Sequence, residues 1–225
     1  MSLMATPGPV TTSPSAAAGT PIVFVVDDDV SVRESLQSLI ATTGWRAEVF
    51  ASAHEFLQRE PQSSPSCLVL DISLPDLSGL EVQQRIADRT DIPIIFITGH
   101  GDIPMTVQAM KAGAVEFLTK PFGSEVLLQA IGNALERSRT FLAEEASLSA
   151  LRVRYESLST RERAVMGFVV RGQLNKQVGG ELGISEITVK AHRGHLMRKM
   201  QAKTLADLVN MAVRLRLPTS ESRSS

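Results

Sequence analysis

Residues 67–75 read Cys-Leu-Val-Leu-Asp-Ile-Ser-Leu-Pro, an apolar run with a proline at position 65 on one side and at 75 on the other. Such a run is too short for a helix and lacks the alternation of a strand with one wet face. It fits a strand buried on both faces, as in a parallel sheet. Asp71 then leaves the run at its carboxyl end, the edge where open α/β sheets bind ligands, near the point where the strand order reverses. Taken alone, an Asp after a strand is more often only a turn or helix cap. Its partners decide the matter.

Three other apolar runs end in the same manner. Ile22–Val26 breaks into Asp27-Asp28-Asp29, Pro93–Ile97 ends at Thr98-Gly99-His100-Gly101, and Val115–Thr119 is followed by Lys120-Pro121. Arg46–Phe50 is a further strand. Helices are expected over Ser31–Thr43, where Val32, Leu36, Leu39 and Ile40 have helical spacing before Gly44, and over Ala53–Gln58, Ser78–Asp88 and Pro104–Ala112. A last one runs from Ser124 to about Arg139 or beyond. Strands alternating with helices five times predict a doubly wound parallel sheet. Asp28, Asp71, Thr98 and Lys120 then follow different strands at one edge, where neighbouring strands lie only ~4.8 Å apart. Clustered carboxylates without His or thiolate partners suit Mg²⁺ beside a phosphate. Lys and Thr would hold phosphate oxygens, and a carboxylate between them is a competent nucleophile towards phosphorus.

The segments Val-Val-Asp27-Asp28-Asp29, Leu-Val-Leu-Asp71-Ile-Ser-Leu-Pro, Ile-Thr98-Gly-His-Gly-Asp and Phe117-Leu-Thr-Lys120-Pro121-Phe resemble the receiver domain of two-component response regulators, FixJ-like members above all. The resemblance covers roughly Pro21 to Arg139 and implies a flavodoxin-like five-stranded sheet of order 2-1-3-4-5. It further implies that Asp71 is the phosphoacceptor, served by a histidine kinase. Asp28 would be a direct Mg²⁺ ligand, Asp27 would act mainly through metal-bound water, and the Ser73 backbone carbonyl would complete the protein ligands. Thr98 and Lys120 would bind the phosphoryl group, with Lys120-Pro121 cis. Phe117, which on its own reads as core, would report phosphorylation by its position. Asp29 is left as a helix cap.

Net charge divides the chain of 225 residues sharply. Met1–Ala146 holds 9 basic against 18 acidic residues, and Ser147–Ser225 holds 14 against 6. An acidic half of −9 is joined to a basic half of +8, which points to a polyanion, nucleic acid, as partner of the second half. The alternative is a merely solvated basic face. No run approaches the ~20 apolar residues of a membrane span, so no membrane role is expected. Cys67, the single cysteine, excludes an intramolecular disulfide and fits a reducing cytoplasm. Residues 1–20 and 218–225 are expected to be disordered tails, and 140–157 a helical linker.

In the basic half, Ser159 with Glu162 three residues on reads as a capping box opening a helix to Gly172. Helices over Asn175–Leu182 and from Ser185, joined through Gly183, form a helix-turn-helix. A fourth runs from Thr204 to about Leu215. At ~100° per residue, Val189, Leu196 and Met200 pack inward on the third helix. Ile187, Lys190, Ala191, Gly194 and Arg198 face outward, His192 lies at the edge of the buried side, and His195 at the surface. Leu158-Ser-Thr-Arg-Glu-Arg…Asn175-Lys176-Gln…Leu182-Gly183-Ile-Ser185…Thr188-Val-Lys190-Ala-His192-Arg193 resembles the LuxR-type DNA-binding domain, over 158–217. By that resemblance Lys176, Thr188, Lys190, Arg193 and Arg198 would contact DNA. Gly179-Gly180 depart from the family pattern, and a helical Gly costs ~1 kcal/mol against Ala. Gly194 leaves out a contact that some relatives make.

Together these features describe a phosphorylation-controlled transcriptional regulator whose partners are a histidine kinase, duplex DNA, RNA polymerase and, on phosphorylation, a second copy of itself. It is expected to be no enzyme beyond phosphoryl transfer to and loss from its own aspartate. Two alternatives stand beside it. A haloacid-dehalogenase-like phosphatase would place a general acid at position 73, which is Ser73, and would need a cap domain that is not evident. A constitutive DNA binder would have a degenerate receiver, whereas every phosphorylation residue is present.

Overall fold

The computed structural model describes residues 19–87, 91–99 and 103–218. The expected tails therefore lie outside the described residues, Gly19, Thr20 and Pro218 excepted. So do Asp88, at the expected end of the Ser78–Asp88 helix, and His100, Gly101 and Asp102 after Thr98. The chain divides into two compact units, Met1–Leu142 and Ala143–Ser225.

In the first unit β1 (Ile22–Val26), β2 (Arg46–Phe50), β3 (Ser66–Asp71), β4 (Ile94–Thr98) and β5 (Glu116–Thr119) form one sheet of order β2-β1-β3-β4-β5. Every pairing is parallel, with Val26 opposite Leu70, Asp71 opposite Ile97 and Thr98 opposite Thr119. The order reverses between β1 and β3. Helices α1 (Val30–Ala41), α2 (Ala53–Gln58), α3 (Gly79–Arg85) and α4 (Ile103–Lys111) connect the strands, and α5 begins at Ser124.

The continuous apolar runs are explained by burial on two faces. Phe24, Val26, Leu68 and Leu70 join one core, which takes Phe56 from α2 and Val82 from α3. Val23, Val25, Cys67 and Val69 join the other, with Leu36 and Ile40 from α1 and Leu127 and Ile131 from α5. Each large side chain so buried contributes ~1.5–3 kcal/mol. The edge strand β5 is covered less, with Glu116 and Thr119 exposed.

Polar ties fix the helices. Asp29 caps α1 by accepting from the Ser31 amide at 2.8 Å. Buried Gln83 on α3 donates to the carbonyls of Ala109 and Ala112, at 3.2 and 3.1 Å, and so caps the end of α4 from a neighbouring helix. Ser138 on α5 donates to the Asp91 carbonyl at 2.6 Å and accepts from the Ser66 amide at 3.0 Å. Helix α3 is shorter than the spacing predicts, because Ser78 is its N-cap, in a capping box with Glu81, and Ile86 ends it.

Helix α5 runs without a break from Ser124 to Glu156, so the segment read as a linker continues the same helix. Its distal part belongs to the second unit, where Leu151 is buried with Leu158, Val165, Met166 and Leu196. That unit also holds α6 (Thr160–Val169), α7 (Asn175–Leu182), α8 (Glu186–Met200) and α9 (Leu205–Arg214). The α7–α8 turn passes through Gly183 at φ 65°, a left-handed conformation that favours glycine, and Ser185 caps α8. A Cβ on Gly179 would lie 2.8 Å from the Ile184 carbonyl oxygen. The helical cost of that glycine thus accompanies a close approach of the turn to α7.

Gly79 has the same function in the first unit, since a Cβ there would stand 2.8 Å from the Asp71 carbonyl oxygen and 3.0 Å from the Ile72 Cα. Backbone on both sides cannot move aside cheaply. Gly79→Ala is expected to cost ~1–3 kcal/mol of stability, read as a lower urea midpoint by fluorescence of Trp45, the single tryptophan.

Candidate functional site

The sheet delivers Asp27, Asp71, Thr98 and Lys120 to one edge because β1, β3, β4 and β5 run parallel and end together. Asp27 and Thr98 are fully buried and Asp71 is 6% exposed, whereas Asp28 points to solvent. The Lys120 ammonium bridges two carboxylates, donating to Asp27 Oδ2 at 2.6 Å and to Asp71 Oδ2 at 2.7 Å. Their remaining oxygens are held by backbone amides two residues on: Asp29 donates to Asp27 Oδ1 and Ser73 to Asp71 Oδ1, both at 2.9 Å. Lys120 is itself placed by its amide, which donates to the Thr98 carbonyl at 2.7 Å, and the Lys120–Pro121 bond is cis.

Burial pushes the Asp27 carboxyl up, and Asp71 adds to this. Hydrogen bonds from Lys120 and the Asp29 amide oppose the shift without cancelling it. For Lys120 burial acts downward, but its bonds to Asp27 and Asp71 prevail and hold the ammonium above its ordinary range. Carboxylate oxygens of Asp27, Asp28 and Asp71 lie within 4.8 Å of one another. Lys120 binds two of these carboxylates, Asp28 lies beside them, and an all-oxygen donor set of this kind fits a hard divalent cation.

Phe117 is half-buried on β5, its ring 6.4 Å from that of Phe96 on β4. The sequence did not single out three further residues. Arg33 on α1 donates to the carbonyls of Asp27 and Asp28, at 2.7 and 2.9 Å, and so fixes the acidic loop. Asp76, in the loop after Asp71, accepts from the amides of Ala53 and His54, at 3.3 and 3.0 Å, and pairs with the His54 ring at 2.7 Å. Burial works against its ionisation, but these bonds hold the carboxyl down at about 2. Gly79 packs behind Asp71. No local pattern announces the first two, since their partners lie in other segments or are backbone atoms.

On α8, Val189, Leu196 and Met200 are buried, while Ile187, Lys190, Ala191, Gly194 and Arg198 are exposed. Lys176 on α7 is exposed as well. Thr188 is half-buried, its amide and hydroxyl bonded to the Ser185 hydroxyl. Arg193 is half-buried and donates to Asn175 Oδ1 at 3.2 Å, tying α8 to the start of α7. His192 is half-buried and His195 exposed, with Nδ1 3.9 Å from Glu162 Oε1. Lys199 serves the fold, for its ammonium donates to Glu162 Oε2 at 2.7 Å and to the Ser157 carbonyl at 3.2 Å.

These two sites coincide with two family models: the response regulator receiver domain matches residues 23–132, and bacterial regulatory proteins of the luxR family match residues 156–212. The chain belongs to the two-component response regulators that join these domains. Nodulation protein W of Bradyrhizobium diazoefficiens is 50% identical over 91% of this chain and 90% of its own length. FixJ of Rhizobium meliloti is 43% identical over 85% and 94%. Among solved structures, response regulator StyR is similar at 45% identity and TM-score 0.78, over 87% of this chain and 99% of its own. The regulator is thus a DNA-binding transcriptional regulator with a histidine kinase and DNA as its partners. Family membership decides against the phosphatase reading. Among the described residues no helix is long and apolar enough to cross a membrane.

Glu162, 4% exposed at the start of α6, anchors α8 through Lys199. Lys199 and the Ser159 amide hold its carboxyl down at about 2, against an ordinary 4.5. A carboxyl depressed on folding stabilises the folded state above pH 4.5 and loses that contribution as the pH falls towards about 2. Glu162→Gln is expected to be less stable at neutral pH and to show a flatter decline in urea midpoint across that window. Absorbance of Tyr155, the single tyrosine, reads the unit concerned.

Proposed function

We propose that Asp71 accepts a phosphoryl group from the histidine kinase, and that this controls DNA binding by the second unit. The observation that carries the reading is the Lys120 bridge, 2.6 Å from Asp27 and 2.7 Å from Asp71. Lys120 and the Ser73 amide orient the Asp71 carboxylate, one oxygen each. That carboxylate attacks phosphorus as the bond from phosphorus to the donor's leaving atom breaks, and the leaving atom keeps the electron pair. Lys120 then meets the charge on the phosphoryl oxygens, with Thr98 as the neutral donor. Asp27, Asp28, Asp71 and the Ser73 carbonyl would hold Mg²⁺, which supplies positive charge against those oxygens. The same residues would release the phosphate to water.

With Mg²⁺ and acetyl phosphate, intact-mass analysis should find one phosphoryl group on the wild type and none on Asp71→Asn. An undiminished adduct on Asp71→Asn would overturn the assignment.

A receiver domain over 21–139, a linker over 140–157 and a DNA-binding domain over 158–217 are the divisions we assign. Phosphorylation would draw Thr98 towards the new charge and let Phe117 turn inward, reshaping the surface of α4 and β5. On α4, Ile103, Val107 and Met110 are 80%, 44% and 42% exposed at positions i, i+4 and i+7, which supports pairing of two copies there. A dimer would align two α8 helices on half-sites one helical turn apart. Lys176, Thr188, Lys190, Arg193 and Arg198 contact the DNA in this reading, and RNA polymerase in the cytoplasm is the further partner.

Lys190, exposed and paired with Glu186 at 3.1 Å, is assigned to a base edge, and Lys176 to the phosphate backbone. Lys190→Ala should cost ~1–3 kcal/mol and relax preference at one base pair. Lys176→Ala should weaken all sequences alike and flatten the salt dependence. Titrations of both variants on a specific and an unrelated duplex separate the two outcomes.

A further inference from the structure

Among the described residues, Ile187 and Ile103 are the most exposed large apolar side chains, at 79% and 80%. Ile103 belongs to the pairing surface already described. Ile187 is the second residue of α8, in the first turn, which in a helix-turn-helix is the part that reaches base edges. Its surroundings restrict what it can do there. Along the same side of α8 follow Ala191 and Gly194, both exposed, and a Cβ built on Gly194 meets nothing within 4 Å. The outward face is therefore low and apolar between two cations, Lys190 and Arg198. Ala191 and Gly194 bring no hydrogen-bonding side chain, so a base contact by the central stripe has to be apolar.

In the major groove one base offers an apolar group, the C5-methyl of thymine. We propose that Ile187 is a specificity-determining residue that packs on a thymine methyl in each half-site. This rests on the DNA-binding reading above and adds the base class that the face selects. Lys190, three residues further on, reads a neighbouring base as a hydrogen-bond donor. Apolar surface that is wet in the free protein becomes covered in the complex. One methyl group removed from such a contact lowers affinity about fourfold.

The experiment uses the full-length protein and duplexes enriched by it from a random-sequence library. Each thymine of the enriched site is replaced in turn by deoxyuridine, which removes the methyl and leaves the hydrogen-bonding groups unchanged. Wild type should lose affinity about fourfold at one thymine per half-site. Ile187→Ala, at a position too exposed to disturb the fold, should bind thymine and deoxyuridine there equally, and its own enriched site should lose the thymine at that position alone. If Ile187→Ala keeps the wild-type ratio at every thymine, the inference is overturned and the DNA-binding reading stands. If no sequence is enriched and binding does not depend on salt, both fail together.

Discussion

A parallel sheet covered by helices on both faces can expose polar groups only at its strand ends. In this chain β1, β3 and β4 are buried along their whole length, so polar groups that leave those strands do so at the rim. All strands point the same way, and their carboxyl ends share one rim. The reversal of order between β1 and β3 places Asp27 and Asp71 on adjacent strands there. The clustering of charge follows from covering the sheet.

That clustering has to be held against its own repulsion. Lys120 does so from β5, two strands away from β3 in the sheet order. Burial alone would favour neutral carboxyls and a neutral amine. The ammonium stays charged because it has two carboxylate partners, and Asp27 stays in the cluster because its second oxygen is bound by the Asp29 amide. A surplus of negative charge remains at the rim. An all-oxygen site with that surplus fits a hard cation.

The second unit uses charge differently. Its basic excess, +8 over residues 147–225, is not all displayed for a polyanion: Lys199 anchors α8 to Glu162. Ion pairs to a buried, multiply bonded carboxylate fix a helix more firmly than exposed pairs, which are worth ~0–1 kcal/mol. Lys176, Lys190 and Arg198 remain outward. The tie from Lys199 to Glu162 holds the angle at which the outward residues are presented.

The sequence by itself determined the strands, their common polar edge and the inward face of α8. These follow from local periodicity, and Asp27, Asp28, Asp71, Thr98 and Lys120 were legible because each directly ends or follows an apolar run. It also determined the family, through motifs that keep their order along the chain. Tertiary structure alone decided that Lys120 bridges two carboxylates, that Asp76 clasps the start of α2, that Gln83 caps α4, and that Lys199 serves the fold instead of the surface. It decided too that Gly79 and Gly179 are set by backbone approaching from elsewhere. Each of these depends on a partner distant along the chain or on a backbone atom. Neither has a side-chain pattern, and only folding brings them within reach.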